Sequence, residues 1–408
     1  KVISMPNNIV SINNELYNYL NDVNYGMSKP QFNHLTTIVN GLINLPGTKT
    51  LSEIAENVYS AKDKSCICKF LSSSRWDDNL LNRNRINYLN FFLENNIVPE
   101  SVGFLVIDDT VNSKESAKRM QGLSYNYSHT ESKNVWSHCV VTSNFVTADK
   151  SIPLEYQPYY KEEFCNRVKK DFKSKVDIAK DFIISFKSPS NCKKVYCLMD
   201  SWYTSNNLIE TALLKGYHLI GAIKSNRKIS PLGISLQLSE FEKYIDPNTL
   251  DLVTVKGKNY KIYTYEGNVA KFPNAKVLIC YEVSKDGFES PVYLMSTDIL
   301  LDSETILEYY LHRWSIETSY KYFKGNLGFD KYRIRSIVSI ERYFLIVFLA
   351  YNFLELFRIT VSHKTLNTIG KVQKHLNNLM IKSFVCFIYE KSKQNVNLED
   401  ILIELKIA

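Results

Sequence analysis

Apolar residues recur at helical spacing over the first 100 residues, and no convincing strand interrupts them. Thr50 followed by Glu53 has the form of a capping box and opens one helix. A second helix is predicted over Ser65–Leu71. A third covers Asn79–Asn95, with the apolar series Leu81, Ile86, Leu89, Phe92 and Leu93. Pro46-Gly47 marks a turn. At Val102 the texture changes: an apolar run ends in Asp108-Asp109-Thr110, the pattern of a buried strand running into acid. Val135–Phe145 and Ile152–Tyr156 read as two further strands of an antiparallel meander. A long amphipathic helix is predicted over Lys161–Phe186. It is followed by a strand over Lys194–Met199 ending in Asp200, a helix over Ser205–Lys215 and a strand over Tyr217–Ile223.

Between 225 and 300 the period switches to two. Leu252–Val255, Tyr260–Tyr265, Val277–Val283 and Val292–Met295 alternate, separated by Lys256-Gly257, Glu266-Gly267 and Asp286-Gly287. Helical spacing returns over Ile306–Gly325. Ile337–Phe357 is strongly apolar, but its most apolar run, Tyr343–Tyr351, has only nine residues and reads as a buried helix, not a membrane span. Residues 364–405 form one or two closing helices.

Three strands, helix, strand, helix, strand is the order of a ribonuclease-H-like core, which makes the fold class α/β: a mixed sheet flanked by helices. The expected domains are a helical one over 1–100, a core over 101–224 and 301–357, a β-rich insertion over 225–300 and C-terminal helices over 358–408. In such a core the ends of the first and fourth strands lie side by side. Asp108 and Asp200 are then neighbours, although far apart in sequence.

The helix predicted over 306–325 carries Tyr310, Arg313, Glu317 and Lys324 on one stripe roughly 60° wide. Arg313 reaches Glu317 one turn away, whereas Lys324 lies about two turns further on. A phenol, a guanidinium and an ammonium along one helix suit a run of phosphates. The carboxylate among them suits a metal ion acting on one of those phosphates. Asp108, Asp200 and Glu317 make three hard oxygen ligands of the kind that hold Mg²⁺ or Mn²⁺, and two such ions stabilise both oxygens of an in-line displacement. Asp109 is the reserve for the first position, its side chain pointing opposite to that of Asp108.

Charge and cysteine content narrow the partners. A net charge of +8 permits a polyanion. The eight cysteines include no CxxC pair, which argues against a structural zinc and fits reduced thiols in a cytosol. The chain begins at Lys1, so leading residues are expected to be missing or replaced. Lys64, Lys69, Arg75, Arg83 and Arg85 lie near the short N-terminal helices. Those helices fit either a helix-turn-helix-like DNA reader or a bundle that caps the core. His312 faces away from the stripe and reads as a packing or surface residue. His129 and His138 flank the second strand and either approach the metals or pack in the core, the second being favoured.

Tyr, two residues, Arg, three residues, Glu, six residues, Lys resembles the signature around the last acid of a class of DDE transposases from bacterial insertion sequences. Tyr310, Arg313, Glu317 and Lys324 meet it in full. Val106-Ile-Asp-Asp-Thr with Lys114, Leu198-Met-Asp-Ser-Trp-Tyr and Leu327-Gly-Phe-Asp follow the family's order, and the resemblance covers roughly 100–357. It implies a metal-dependent enzyme that cuts at element ends and joins the freed 3′-OH to target DNA. The implied metal ligands are Asp108, Asp200 and Glu317, with two ions per site. Tyr310, Arg313 and Lys324 would hold DNA phosphates. Lys321 continues into a basic run with Lys331, Arg333 and Arg335, either a solvated face or a DNA contact. Trp202 either stacks on a displaced base or packs internally. The implied setting is the bacterial cytoplasm, with no membrane partner and a homodimer holding two inverted-repeat ends. The alternatives are a transposase-derived DNA-binding protein without catalysis, and a resolvase or nuclease on the same core.

Overall fold

The computed structural model describes residues 9–128, 130–285, 287–361 and 365–406. Five helices come first: α1 (Asn14–Val23), α2 (Lys29–Asn44), α3 (Leu51–Asn57), α4 (Lys64–Ser72) and α5 (Asp78–Asn96). Side-chain caps fix where they start. Asn13 accepts from the Leu16 amide at 3.0 Å, Thr50 from Glu53 at 3.3 Å and Asp63 from Ser65 at 2.7 Å. Strands β1 (Ser101–Ser113), β2 (Ser124–Ser128), β3 (Lys133–Val146) and β4 (Ser151–Tyr159) follow. Then come α6 (Glu162–Val168), α7 (Lys175–Ser185), β5 (Cys192–Met199), α8 (Asn206–Leu214) and β6 (His218–Ala222).

The 225–300 stretch is β-rich, as its period predicts. It holds β7 (Lys228–Ile229), β8 (Leu236–Gln237), the short α9 (Leu238–Phe241), β9 (Asp251–Val255), β10 (Lys258–Val269), β11 (Phe272–Ser284), β12 (Gly287–Phe288) and β13 (Val292–Ser296). The chain closes with α10 (Ser303–Leu311), α11 (Trp314–Gly325), α12 (Ile337–Val361), α13 (Ile369–Lys393) and α14 (Leu398–Glu404).

Two compact units result, Lys1–Phe92 with Val111–Cys139 and Thr318–Ala408, and Leu93–Thr110 with Val140–Glu317. The first is built on α12. That helix is long and apolar enough by composition to cross a membrane, but 78% of its most apolar window is buried within the protein. Several of its polar groups find partners there. Arg342 donates to the carbonyls of Leu71, Ser74 and Trp76 at 2.9–3.2 Å, and Asn352 accepts from the buried Arg85 at 2.8 Å.

The second unit is a mixed sheet in the order β4-β3-β1-β5-β6-β13-β11-β10-β7-β8. Its first five strands have the ribonuclease-H-like arrangement, with β1, β5 and β6 parallel. The inserted strands do not form a sheet of their own, because β13 pairs antiparallel with β6, Leu294 facing Ala222.

Three sequence expectations are corrected. The helix over Lys161–Phe186 is two helices: Lys169 turns left-handed (φ 56°), and Ser174 and Asp177 form a capping box that starts α7 afresh. β1 does not end at its acids but runs on to Ser113. The 306–325 helix is broken at His312–Arg313, where Arg313 N donates to the Tyr310 carbonyl at 3.0 Å in a tighter turn.

Candidate active site

Strand register brings the first two acids together. Val106 pairs with Leu198 in the parallel ladder between β1 and β5, so two residues further on Asp108 comes level with Asp200. Asp200 stands in the turn after β5, its Oδ1 accepting from the amides of Trp202 at 2.9 Å and Tyr203 at 3.0 Å. Thr204 locks the turn, its hydroxyl donating to the Asp200 carbonyl at 2.7 Å. Gly221 on β6 makes room for it: a Cβ there would lie 2.2 Å from Thr204 Oγ1.

Arg313 joins the two remote parts of the site. Its Nη1 donates to Asp108 Oδ2 at 3.0 Å and its Nη2 to Glu317 Oε1 at 2.6 Å. Its Nε is buried with no hydrogen-bond partner among the described residues. Burial works against the Arg313 charge, but Tyr310, Asp108 and Glu317 outweigh it and hold the guanidinium above its ordinary value. Tyr310 is buried, and burial raises its hydroxyl; Arg313 opposes that, while Asp200 and Asp108 add to it. The Asp108 carboxyl is pushed up to about 7, chiefly by burial; Arg313 opposes the shift and Asp200 and Asp109 reinforce it.

The break in the 306–325 helix has its cause here. The chain contains neither Gly nor Pro at that point; instead Arg313 is drawn to Asp108, and His312 stacks on Phe104 with ring centroids 4.7 Å apart. His312 is thus a packing residue, lowered to about 4 by burial. The four signature residues do not lie on one continuous helical stripe.

Asp109 faces the other way, as the alternation along a strand requires. Its carboxylate accepts from Tyr203 Oη at 2.8 Å and pairs with Lys175 at 2.9 Å. Neither partner stands out in the sequence, although Tyr203 lies three residues beyond Asp200. Trp202 is 46% exposed, edge-on to Tyr203 and 5.3 Å from the Lys175 amine, so it is not a core residue.

Lys321 and Lys324 belong to the first unit. Lys321 is exposed. The Lys324 amine is half-buried and donates to the Val111 carbonyl at 2.8 Å, tying α11 to β1. His138 is buried between the Tyr332 hydroxyl and the Gln121 carbonyl, 2.7 Å from each. His129 and Asp286 lie outside the described residues.

Among the described residues, no three His, Cys, Asp or Glu side chains are grouped as a ready metal cage. Asp108 and Asp200 fit a divalent cation in chemistry, since both are hard oxygen donors. Glu317 is engaged by Arg313.

Residues 15–236, more than half of the chain, match the family described as DDE superfamily endonuclease, and residues 173–353 match the transposase DDE domain. This chain belongs to the DDE transposases. The two matched stretches of this DDE transposase together take in Asp108, Asp200, Tyr310, Arg313, Glu317 and Lys324. Among solved structures it is similar to the piggyBac transposase in a synaptic complex with hairpin DNA. The identity is 14% and the TM-score 0.50, over 90% of this chain and 74% of that one, a likeness of fold. The NurA nuclease from Sulfolobus solfataricus, at 10% identity and TM-score 0.23 over 57% of this chain and 82% of that one, is too distant to inform the reading. No curated protein matches the sequence.

Proposed function

We propose that this DDE transposase cuts DNA at the ends of an inserted element and joins the freed 3′-OH to target DNA, using Asp108, Asp200 and Glu317. The observation that carries this is the meeting of Asp108 and Asp200 at the end of one parallel ladder, with Arg313 linking Asp108 to Glu317. Divalent ions, Mg²⁺ or Mn²⁺, held by these three carboxylates would stabilise the charge on the attacking and leaving oxygens.

The chain's own groups then have separate tasks. Arg313 pairs with Asp108 and Glu317, and its fork would be available to a DNA phosphate if Glu317 held a metal. Tyr310 supplies a hydroxyl to the same backbone. The exposed Trp202 beside Asp200 offers a face on which an unpaired base stacks. Lys321 adds a cation for the phosphate backbone. Two chains acting together would hold two inverted-repeat ends, in the bacterial cytoplasm.

The decisive assay is strand transfer of pre-cut ends into a plasmid with Mg²⁺. Joined product from the unaltered chain, lost in Glu317→Ala while DNA binding persists, supports the proposal. Hydrolysis without joining would reassign the chain as a nuclease, and nicking retained by Glu317→Ala would remove Glu317 from the site.

A further inference from the structure

One charged cleft of the first unit plays no part in the site above. It encloses about 1030 Å³ between the 113–120 segment that follows β1 and the 330–335 segment that leads into α12. Its walls are fixed to each other. Lys114 donates to the carbonyls of Asp330 at 2.6 Å and Tyr332 at 2.8 Å, and its amine lies 3.8 Å over the Tyr332 ring. The Gln121 amide donates to the Arg335 carbonyl at 2.9 Å, and the Gln121 side chain accepts from the Ile337 amide at 3.0 Å.

The charge lining this frame is one-sided. The two acids are already answered: Glu115 pairs with Lys133, and Asp330 with Lys331. Lys118, Arg119, Arg333 and Arg335 are exposed and make no ion pair among the described residues. The second wall also has a regular spacing. Exposed Lys331, Arg333 and Arg335 alternate with buried Tyr332 and half-buried Ile334. In an extended segment, alternate side chains share one face about 6.6 Å apart. The buried ring anchors the wall, and the three cations stay exposed, where phosphates can reach them.

The signature lysine is placed differently. Lys324 spends its amine on the Val111 carbonyl and is half-buried. We propose that the cleft is a DNA-backbone clamp in which Lys118, Arg119, Arg333 and Arg335 grip phosphates, in addition to any contact made by Lys321. The clamp reads charge and spacing, not base sequence. It rests on the reading that the chain acts on DNA.

Binding of the full chain to a fluorescent random duplex of about 30 base pairs, followed by anisotropy from about 50 to 300 mM NaCl, tests it. Four lost phosphate contacts predict that Lys118→Ala/Arg119→Ala/Arg333→Ala/Arg335→Ala flattens the log K against log salt slope by about 3 to 4 and weakens binding at least about thirtyfold at 100 mM. Each pair alone accounts for about half the change in slope. A charge-matched control, Lys187→Ala/Lys215→Ala/Lys243→Ala/Lys382→Ala, removes exposed lysines outside the cleft and stays within about twofold of the unaltered chain. Circular dichroism confirms that both variants are folded. Equal losses in the two variants, or no loss in the first, overturn the clamp alone. An unaltered chain that binds no duplex at about 50 mM salt overturns the DNA reading and the clamp with it.

Discussion

Arg313 meets Asp108 across 205 residues of sequence, Nη1 to Oδ2 at 3.0 Å. The same guanidinium holds Glu317, so one side chain carries the counter-charge for two of the three acids. Removing one partner of a buried ion pair leaves the other uncompensated and typically costs about 3–5 kcal/mol. Arg313→Gln is therefore expected to lower unfolding free energy at pH 8 by about 3 kcal/mol, and by much less at pH 5, where Asp108 is protonated. Urea titrations at the two pH values check this; equal losses would show that the ion pair is not the cause.

Asp108 itself is predicted to be a stability cost. Burial pushes its carboxyl from 3.8 to about 7, so the folded chain holds a proton that the unfolded chain releases. Stability at this site is undiminished below the unfolded value and falls as pH rises from about 4 to 7. Asp108→Asn should thus gain on the order of 2–4 kcal/mol over the unaltered chain at pH 8 and nothing near pH 4, while strand cleavage disappears. Thermal melts across that range, with a nicking assay, give both readouts.

Asp109 is predicted to be structural. Asp109→Asn weakens its contacts with Tyr203 and Lys175, costing about 2 kcal/mol, and leaves cleavage within about tenfold. If instead this variant stays folded but nicks no DNA, the first acid is Asp109 and Asp108 is the support.

Gly221 controls the Asp200 turn without touching the acid. Its Ala variant forces Thr204 away from the Asp200 carbonyl, with an expected loss of about 2 kcal/mol and slower cleavage. Adding Thr204→Ala removes the closest of the clashing atoms and should return part of the stability, so a double-mutant cycle isolates the coupling.

Much of this fold is legible in the sequence because apolar runs bounded by charge leave little choice. The runs ending near Asp108 and Asp200 are β1 and β5, and their parallel register follows from element order. What escapes is set by distant partners. Nothing near His312 signals a break; the turn exists because Phe104 and Asp108, some 200 residues earlier, take hold of His312 and Arg313. The Val111 carbonyl that receives the Lys324 amine is likewise placed there by the fold and not by any local signal. The division between α6 and α7 was legible locally, since Ser174 and Asp177 spell a helix start inside a run that otherwise reads as continuous.

The pairing of β13 with β6 makes the insertion inseparable from the core. Trimming out 225–300 to obtain a minimal enzyme would strip β6 of a hydrogen-bonded neighbour and leave a row of bare amides and carbonyls. Such an edge recruits strands from other molecules, so the shortened chain would clump before its chemistry was ever measured.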